Sequence, residues 1–206
     1  MVLHPYVSDC IQRYPQLDAC RLDIQKVINL MFQVFKDGRK LMICGNGGSA
    51  ADADHIAGEF CKGFLKKRPL GLEWKDKLSP ELLQNLQTGL PALSLAHLPA
   101  LNTAYANDCS PVHIFAQAAF TLGQTGDALL CISTSGSSKN VLLAAEAAKA
   151  KGIYTIGLTG QNSPLLAEIA DYCISVPEHL VYKVQELHLP VYHTLCLAVE
   201  DMLFKN

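Results

Sequence analysis

Two stretches of this 206-residue chain share a plan suited to holding an anion. LMICGNGGSAADADHIAGEF and ALLCISTSGSSKNVLLAAEAA each run from an apolar strand through a Gly/Ser-rich turn into a helix. Such a turn presents backbone N–H groups at a helix start, where the helix dipole also favours negative charge. In the second stretch Ser133, Thr134, Ser135 and Ser138 add hydroxyl donors, which suit the several oxygens of a phosphate monoester. The first offers Asn46, Gly47, Gly48 and Ser49, small residues that let a ligand approach the backbone. One such turn alone is also an ordinary strand-to-helix connection. Two in a chain of this size, one of them rich in hydroxyls, point to a phosphorylated ligand. Neither is a GxxxxGK loop closed by Ser or Thr, and neither fits GxGxxG, so no nucleotide cofactor is expected.

On the helix that follows the first turn, His55 and Glu59 stand four apart and share one face, among apolar Ala53, Ile56, Ala57 and Phe60. Near the C-terminus, VYKVQELHLPVYHTLCLAV sets Gln185, Glu186, His188 and His193 in apolar surroundings, where buried polar groups need partners. Plainer explanations exist for both: an i,i+4 pair on a helix surface, and a satisfied core histidine at 188 or 193. Gln185 and His193 are eight apart, ~12 Å along a straight helix at ~1.5 Å per residue. For both to meet one ion, the helix must kink at Pro190 or two chains must contribute.

The elements that position these groups follow from the apolar pattern. From Tyr6 to Lys36, Ile24, Val27, Ile28, Met31, Phe32 and Phe35 recur at helical spacing, interrupted near Pro15 and closed by Asp37-Gly38, which predicts a helical segment over 6–37. KLMICG, PALSL, ALLCIS, IYTIGLTG and YCISV read as strands. Helices are predicted over Ser49–Phe64, Pro99–Ala106, Val112–Leu122, Lys139–Lys151, Ser163–Ala170 and Leu180–Phe204. Continuous apolar strands alternating with helices predict an α/β fold, a three-layer αβα sandwich around a mostly parallel sheet of about five strands. From Lys66 to Gly89 the rhythm fails: the segment is polar, carries Lys66, Lys67, Arg68, Lys75 and Lys77, and offers one short helix at Pro80–Leu86. It reads as an insertion, a solvated loop or a lid over a pocket.

Composition narrows the classes. With 50% hydrophobic and 17% charged residues the chain is not disordered, and its length fits one domain over residues 1–206. Seventeen Lys plus Arg against 19 Asp plus Glu leave a charge of −2, with no basic excess for nucleic acid or an anionic membrane. MVLHPYVSDC lacks a basic region followed by an apolar run, so no secretory leader is expected. Between Leu82 and Gly126 the only charge is Asp108, yet prolines and polar residues interrupt the stretch, so no membrane span is expected. It reads instead as surface buried in the domain or between subunits. The eight cysteines are scattered without a CxxC pair and read as thiols in the core of a cytoplasmic protein.

Taken together and in order, GNGGSAADADHIAGEF, ANDCSPVHIF, GDALLCISTSGSSKNV and VQELHLPVYHTL resemble the phosphoheptose isomerase group of the sugar isomerase (SIS) domain family. The resemblance spans nearly the whole chain, except that Leu70–Gly89 has no expected counterpart and Pro190 interrupts a helix usually free of proline. It implies isomerisation of sedoheptulose 7-phosphate to D-glycero-D-manno-heptose 7-phosphate, for activated heptose. Asn46, Gly47, Gly48, Ser49, Asn107 and Asp108 would then bind substrate, and Ser133, Thr134, Ser135 and Ser138 would hold its phosphate. His55, Glu59, Gln185 and His193 fall where family members place catalytic groups and, in several, a zinc ion, one per site. Glu59 and Gln185 would also touch substrate. Ketose–aldose conversion needs a base that moves a proton between neighbouring carbons and an acid or metal at the carbonyl oxygen, roles assigned to Glu59 and His193. The resemblance further implies a homotetramer with sites at subunit interfaces. Two alternatives stay open: a non-catalytic SIS module that binds a sugar phosphate or a replication-initiator partner, and an isomerase of a different phosphosugar.

Overall fold

The computed structural model describes residues 2–161 and 164–204. Five strands, β1 (Leu41–Cys44), β2 (Ala92–Ser94), β3 (Ala128–Ser133), β4 (Tyr154–Gly160) and β5 (Tyr172–Val176), form one sheet in the order β2-β1-β3-β4-β5. Every neighbouring pair is parallel, with Ile43 opposite Leu130 and Leu130 opposite Ile156. The chain starts at β1, steps out to β2 on one side and returns to β3 on the other, so the order reverses between β1 and β3. In open parallel sheets the crevice beyond the strand ends at such a reversal is where ligands bind. The two Gly/Ser-rich turns leave β1 and β3 there.

Alternation along the strands sends successive side chains to opposite faces. Leu41, Ile43, Leu130, Ile132, Ile156, Leu158, Ile174 and Val176 pack with α1 (Pro5–Arg13), α2 (Arg21–Lys36), α3 (Gly48–Cys61) and α9 (Val181–Leu203). Met42, Cys44, Leu129 and Cys131 face α6 (Ile114–Leu122), α7 (Lys139–Ala150) and α8 (Pro164–Ile169), with Leu101 of α5 (Pro99–Asp108) at the margin. The three-layer αβα sandwich expected from the sequence is thus present.

Local chemistry sets the boundaries. Pro15 separates α1 from a 3₁₀ turn at Pro15–Cys20, which leads into α2. The helix expected to reach Phe64 stops at Cys61, because the Glu200 carboxylate of α9 takes the N–H groups of Phe64, Leu65 and Lys66, which therefore cannot continue a helical ladder. Pro190 lies inside α9 without ending it; Thr194 Oγ1 donates to the Pro190 carbonyl at 2.7 Å. The expected start of a helix at Ser163 lies outside the described residues, and α8 begins at Pro164. Cys61 and Cys109 are exposed and Cys173 half-buried, so not all cysteines are core thiols: the first two sit at the free ends of α3 and α5.

The excursion at 66–89 is not simply a solvated loop. Its neck is closed by an isolated bridge between Pro69 and Gln87 and by the Thr88 N–H donating to the Arg68 carbonyl at 2.7 Å. Arg68, read from sequence as a surface charge, is buried: its Nε donates to Glu200 Oε1 at 2.8 Å and its Nη1 to the Phe60 carbonyl at 2.9 Å. Beyond the neck, α4 (Pro80–Asn85) and a short 3₁₀ turn have no buried residue, and Leu72 is 88% exposed. Among the described residues, no helix is long and apolar enough to cross a membrane.

Candidate active site

At the sheet's reversal point the two turns are tied by their amides. Asn46 Nδ2 donates to Asn140 Oδ1 at 2.9 Å, and Asn140 Nδ2 returns the bond to Asn46 Oδ1 at 2.8 Å. Gly47 caps α3 with φ of +56°, a conformation a side chain rarely tolerates. Gly48 is needed for a different reason: a Cβ there would lie 1.9 Å from Gln185 Nε2, so the Gln185 amide rests directly on the first turn of α3. In the second turn Ser133 Oγ donates to Ser138 Oγ at 3.1 Å and Ser137 Oγ to Ser135 Oγ at 2.9 Å. Ser135 and Asn46 are exposed, Thr134 and Ser138 half-buried, and Ser49 and Ser133 buried. A cavity of about 450 Å³ opens between α3 and α9, lined by Gly48, Ala51, Asp52, Tyr182, Gln185, Glu186 and Leu189. A larger hollow, about 740 Å³, lies against α2 at the opposite ends of the strands and is lined by none of the expected site residues.

Further along α3 a second group assembles. His55 Nε2 lies 3.3 Å from Glu59 Oε1, and Lys62 Nζ donates to Glu59 Oε2 at 2.8 Å. The His55 and His193 rings meet edge-on with centroids 5.1 Å apart, and the Phe64 ring covers His193 at 5.6 Å. Burial, then the neighbouring His55, holds the His193 imidazole below its ordinary pKa, against the pull of Glu59, so the ring is neutral at neutral pH. Its Nε2 is buried without a hydrogen-bond partner.

Two residues of this group were not singled out from the sequence. Tyr192 is buried; its hydroxyl donates to Asp52 Oδ1 at 3.3 Å and meets His55 Nδ1 at 3.1 Å. Burial and the Asp52 carboxylate raise the Tyr192 hydroxyl well beyond its usual pKa, so it stays protonated. Burial also raises the Asp52 carboxyl, with Gln185 and Tyr192 beside it opposing the shift. Asp52, His55 and Glu59 follow i, i+3, i+7 spacing on one stripe, a pattern the sequence does contain. With the Tyr192 proton assigned to Asp52, His55 Nδ1 carries the hydrogen that the Tyr192 hydroxyl oxygen accepts, and its Nε2 faces Glu59 Oε1.

The expected residues therefore fall into two groups rather than one. Asn46–Ser49, Ser133–Ser138 and Gln185 gather at the start of α3, whereas His55, Glu59 and His193 lie along its second half. From Gly48 to Glu59 is ~16 Å at ~1.5 Å per residue. Gln185 rests on Gly48 and Asp52 in the first half of α3, and no contact joins it to Glu59 or His193 among the described residues. Asn107 and Asp108 join neither group: Asn107 Nδ2 donates to Asp108 Oδ1 at 2.8 Å at the exposed end of α5, which packs with α6 in the other helical layer.

A parallel sheet reversing at β1/β3, with two small-residue turns opening onto the reversal and one of them rich in hydroxyls, makes an α/β domain with a crevice suited to a phosphorylated ligand. The SIS domain family matches residues 6–74 and 82–160, a match broken inside the excursion. Phosphoheptose isomerase of Crocosphaera subtropica is 40% identical over 196 residues, 95% of this chain and 90% of that protein. That of Aneurinibacillus thermoaerophilus is 38% identical over 183 residues, 89% of this chain and 83% of that protein. The solved phosphoheptose isomerase from Neisseria gonorrhoeae superposes with a TM-score of 0.76 at 28% identity, covering 94% of each chain. The chain belongs to the SIS domain family and, within it, to the phosphoheptose isomerases. It is an enzyme, a phosphosugar isomerase.

Proposed function

We propose that this isomerase converts sedoheptulose 7-phosphate to D-glycero-D-manno-heptose 7-phosphate for activated-heptose synthesis, in a site completed by a second copy of the chain. The observation that carries the assembly is the ~16 Å between Gly48 and Glu59. A seven-carbon chain with its phosphoryl group zigzags to on the order of 10 Å. The rise along α3 exceeds the length of the substrate, which favours a phosphate held at one chain's Ser-rich turn and a base supplied by another chain's Glu59. The isolated chain also shows surface suited to a partner: no residue of α5 is buried, and Phe120 of α6 is 55% exposed, within the nearly uncharged Leu82–Gly126 stretch. A homotetramer supplies such partners. Asn107 and Asp108, remote from both groups in one chain, are then contributed across the interface.

Ser133, Thr134, Ser135 and Ser138, with the N–H groups of the two turns, hold the phosphoryl oxygens, and Asn46, Gly47, Gly48, Ser49 and Gln185 line the sugar. Glu59 takes the proton from the carbon beside the carbonyl and returns it to the carbonyl carbon as the enediol collapses. The neutral His193 ring gives an N–H to the carbonyl oxygen as charge develops there. Lys62 Nζ donates to the far oxygen of Glu59 and so fixes the direction in which the carboxylate faces.

Zinc fits the acid/base group by donor type. Two imidazoles and a carboxylate are its usual N/O partners, His193 Nε2 lacks a hydrogen-bond partner, and His55 Nε2 faces a carboxylate oxygen at 3.3 Å. Among the described residues no three His, Cys, Asp or Glu side chains already form a chelate. His55, Glu59 and His193 would hold the ion, with Gln185 of another copy as the fourth donor. When bound, zinc would polarise the substrate carbonyl.

Two experiments test this. In active-site complementation, Glu59→Gln protein and Ser135→Ala/Ser138→Ala protein, each inactive, are unfolded, mixed and refolded. If each site draws on two chains, paired copies regain about a quarter of parent activity, since half the pairs are mixed and each of these has one intact site. No recovery, or a fully active monomer on gel filtration, would dismiss the shared site. Turnover of a panel of ketose phosphates, before and after chelation, tests substrate and metal: sedoheptulose 7-phosphate is expected to be preferred, and activity lost to a chelator to return with Zn²⁺. Preference for another sugar would give the reaction to the alternative isomerase, no turnover of any would favour the non-catalytic module, and indifference to chelation would remove zinc.

A further inference from the structure

His188 is used by neither group. It lies on α9 between Gln185 and His193 and is fully buried; its ring approaches the Thr159 backbone, but neither ring nitrogen makes a hydrogen bond of good geometry. Thr159 on β4, whose backbone lies against the ring, is also fully buried, and its Oγ1 likewise lacks a partner. Two polar side chains without well-made hydrogen bonds in an apolar core are not explained by packing alone, which leucine and valine would supply. Burial drives the imidazole pKa down to about 4, so the ring is neutral and presents one donor and one acceptor.

What surrounds this pair gives it a use. Thr159 pairs in register with Ser133, the first hydroxyl of the Ser-rich turn. The N–H of the next residue, Gly160, donates to the Thr134 carbonyl at 3.2 Å. One turn before His188, Val184 packs so closely on Gly160 that a Cβ there would lie 2.7 Å from Val184 Cγ2. The turn therefore hangs from the end of β4, and α9 bears on that end through Val184 and His188.

We propose that His188 is a positioning residue: with Thr159 it sets the height of the β4 end, and so places the Ser133–Ser138 hydroxyls against the phosphoryl group. The proposal rests on the assignment of that turn as the phosphate anchor. His188 does not touch substrate, and its effect is on binding rather than on proton transfer.

The test compares His188→Leu, His188→Gln and Thr159→Val by KM, kcat, inhibition by inorganic phosphate, and thermal melting. In His188→Leu, KM and the inhibition constant for phosphate are expected to rise about tenfold together, with kcat within about twofold of the parent. The melting temperature should stay close to the parent's, because no well-made hydrogen bond is lost. His188→Gln, which keeps a donor and an acceptor, should restore most of the phosphate affinity. Thr159→Val keeps the backbone that the ring lies against and replaces only the hydroxyl, so it should weaken phosphate affinity in the same direction by a smaller step. Unchanged phosphate affinity in His188→Leu and Thr159→Val, or a loss of kcat instead, would overturn the proposal. If His188→Leu fails to fold, Thr159→Val decides alone. Failure of the underlying assignment looks different: Ser135→Ala and Ser138→Ala would then leave the parent's phosphate inhibition untouched.

Discussion

Glu59→Gln is expected to lower kcat by roughly 10²–10⁴-fold, the usual contribution of a positioned general base. KM should stay within a few-fold of the parent. The amide keeps the size of the carboxylate and can still accept from Lys62, which now donates to Glu59 Oε2 at 2.8 Å. What it cannot do is take a proton from carbon. The loss should fall on kcat and kcat/KM alike, the pattern of an interaction made only in the transition state. A second observable separates proton abstraction from general damage. In D₂O the parent should exchange the carbon-bound hydrogen of its substrate with solvent, and the variant should bind the same substrate without exchange. Full turnover by Glu59→Gln would end the mechanism.

The second large effect concerns stability. Arg68→Met keeps an apolar stem but removes the guanidinium with its charge, its donors and its place over the Phe204 ring, whose centroid lies 4.6 Å from the guanidinium carbon. Side chains of Arg68 and Glu200 are 0% and 1% exposed, with Nη2 2.7 Å from Oε1. Breaking a buried pair at one end costs ~3–5 kcal/mol, because the other charge is left buried. Three backbone N–H groups still serve Glu200, which places the expected loss near ~3 kcal/mol. For a chain of this size that lowers Tm by about 6–12 °C.

The pair also carries a pH dependence. Burial alone would raise the Glu200 pKa, but the Leu65 and Phe64 N–H groups, the Arg68 guanidinium and the Lys66 N–H outweigh it and hold the carboxyl below its usual range. A carboxylate whose folded pKa is depressed contributes stability above its unfolded value, ~4.3, and that contribution drains away as pH falls through the folded pKa. The parent should therefore lose stability in acid below pH ~4. Arg68→Met, which removes one of the groups holding the pKa down, should show a smaller acid-induced loss. Melting curves of both proteins from neutral pH into acid measure this directly.

The strands were legible because each is a short, mostly apolar run between polar turns, the mark of a sheet covered on both faces. The two turns were legible because glycine and hydroxyl residues cluster at a strand-to-helix junction. The Gln185–His193 separation was legible as arithmetic along a helix, and the same arithmetic along α3 from Gly48 to Glu59 gives the division of the site. Arg68 was not legible: it sits in a lysine-rich segment, and its burial depends on Glu200, distant in sequence. Nor was Tyr192, an aromatic residue among apolar neighbours whose hydroxyl gains meaning only when α9 is laid against Asp52 and His55. Asn140 is one polar residue at a helix start until the reversal at β1/β3 sets it opposite Asn46.

The neck of the excursion has a consequence for how this chain tolerates change. Pro69 and Gln87 meet in a bridge, and Gly63 N–H donates to Gln87 Oε1 at 2.9 Å, so the polypeptide leaves and re-enters the sandwich at nearly one point. Chain between two fixed, adjacent ends can lengthen cheaply, because closure entropy grows only with the logarithm of loop length. Residues 70–86 thus form a natural port for cargo: a foreign peptide or small folded module with neighbouring termini could be spliced there while Arg68 and Glu200 keep the seam shut.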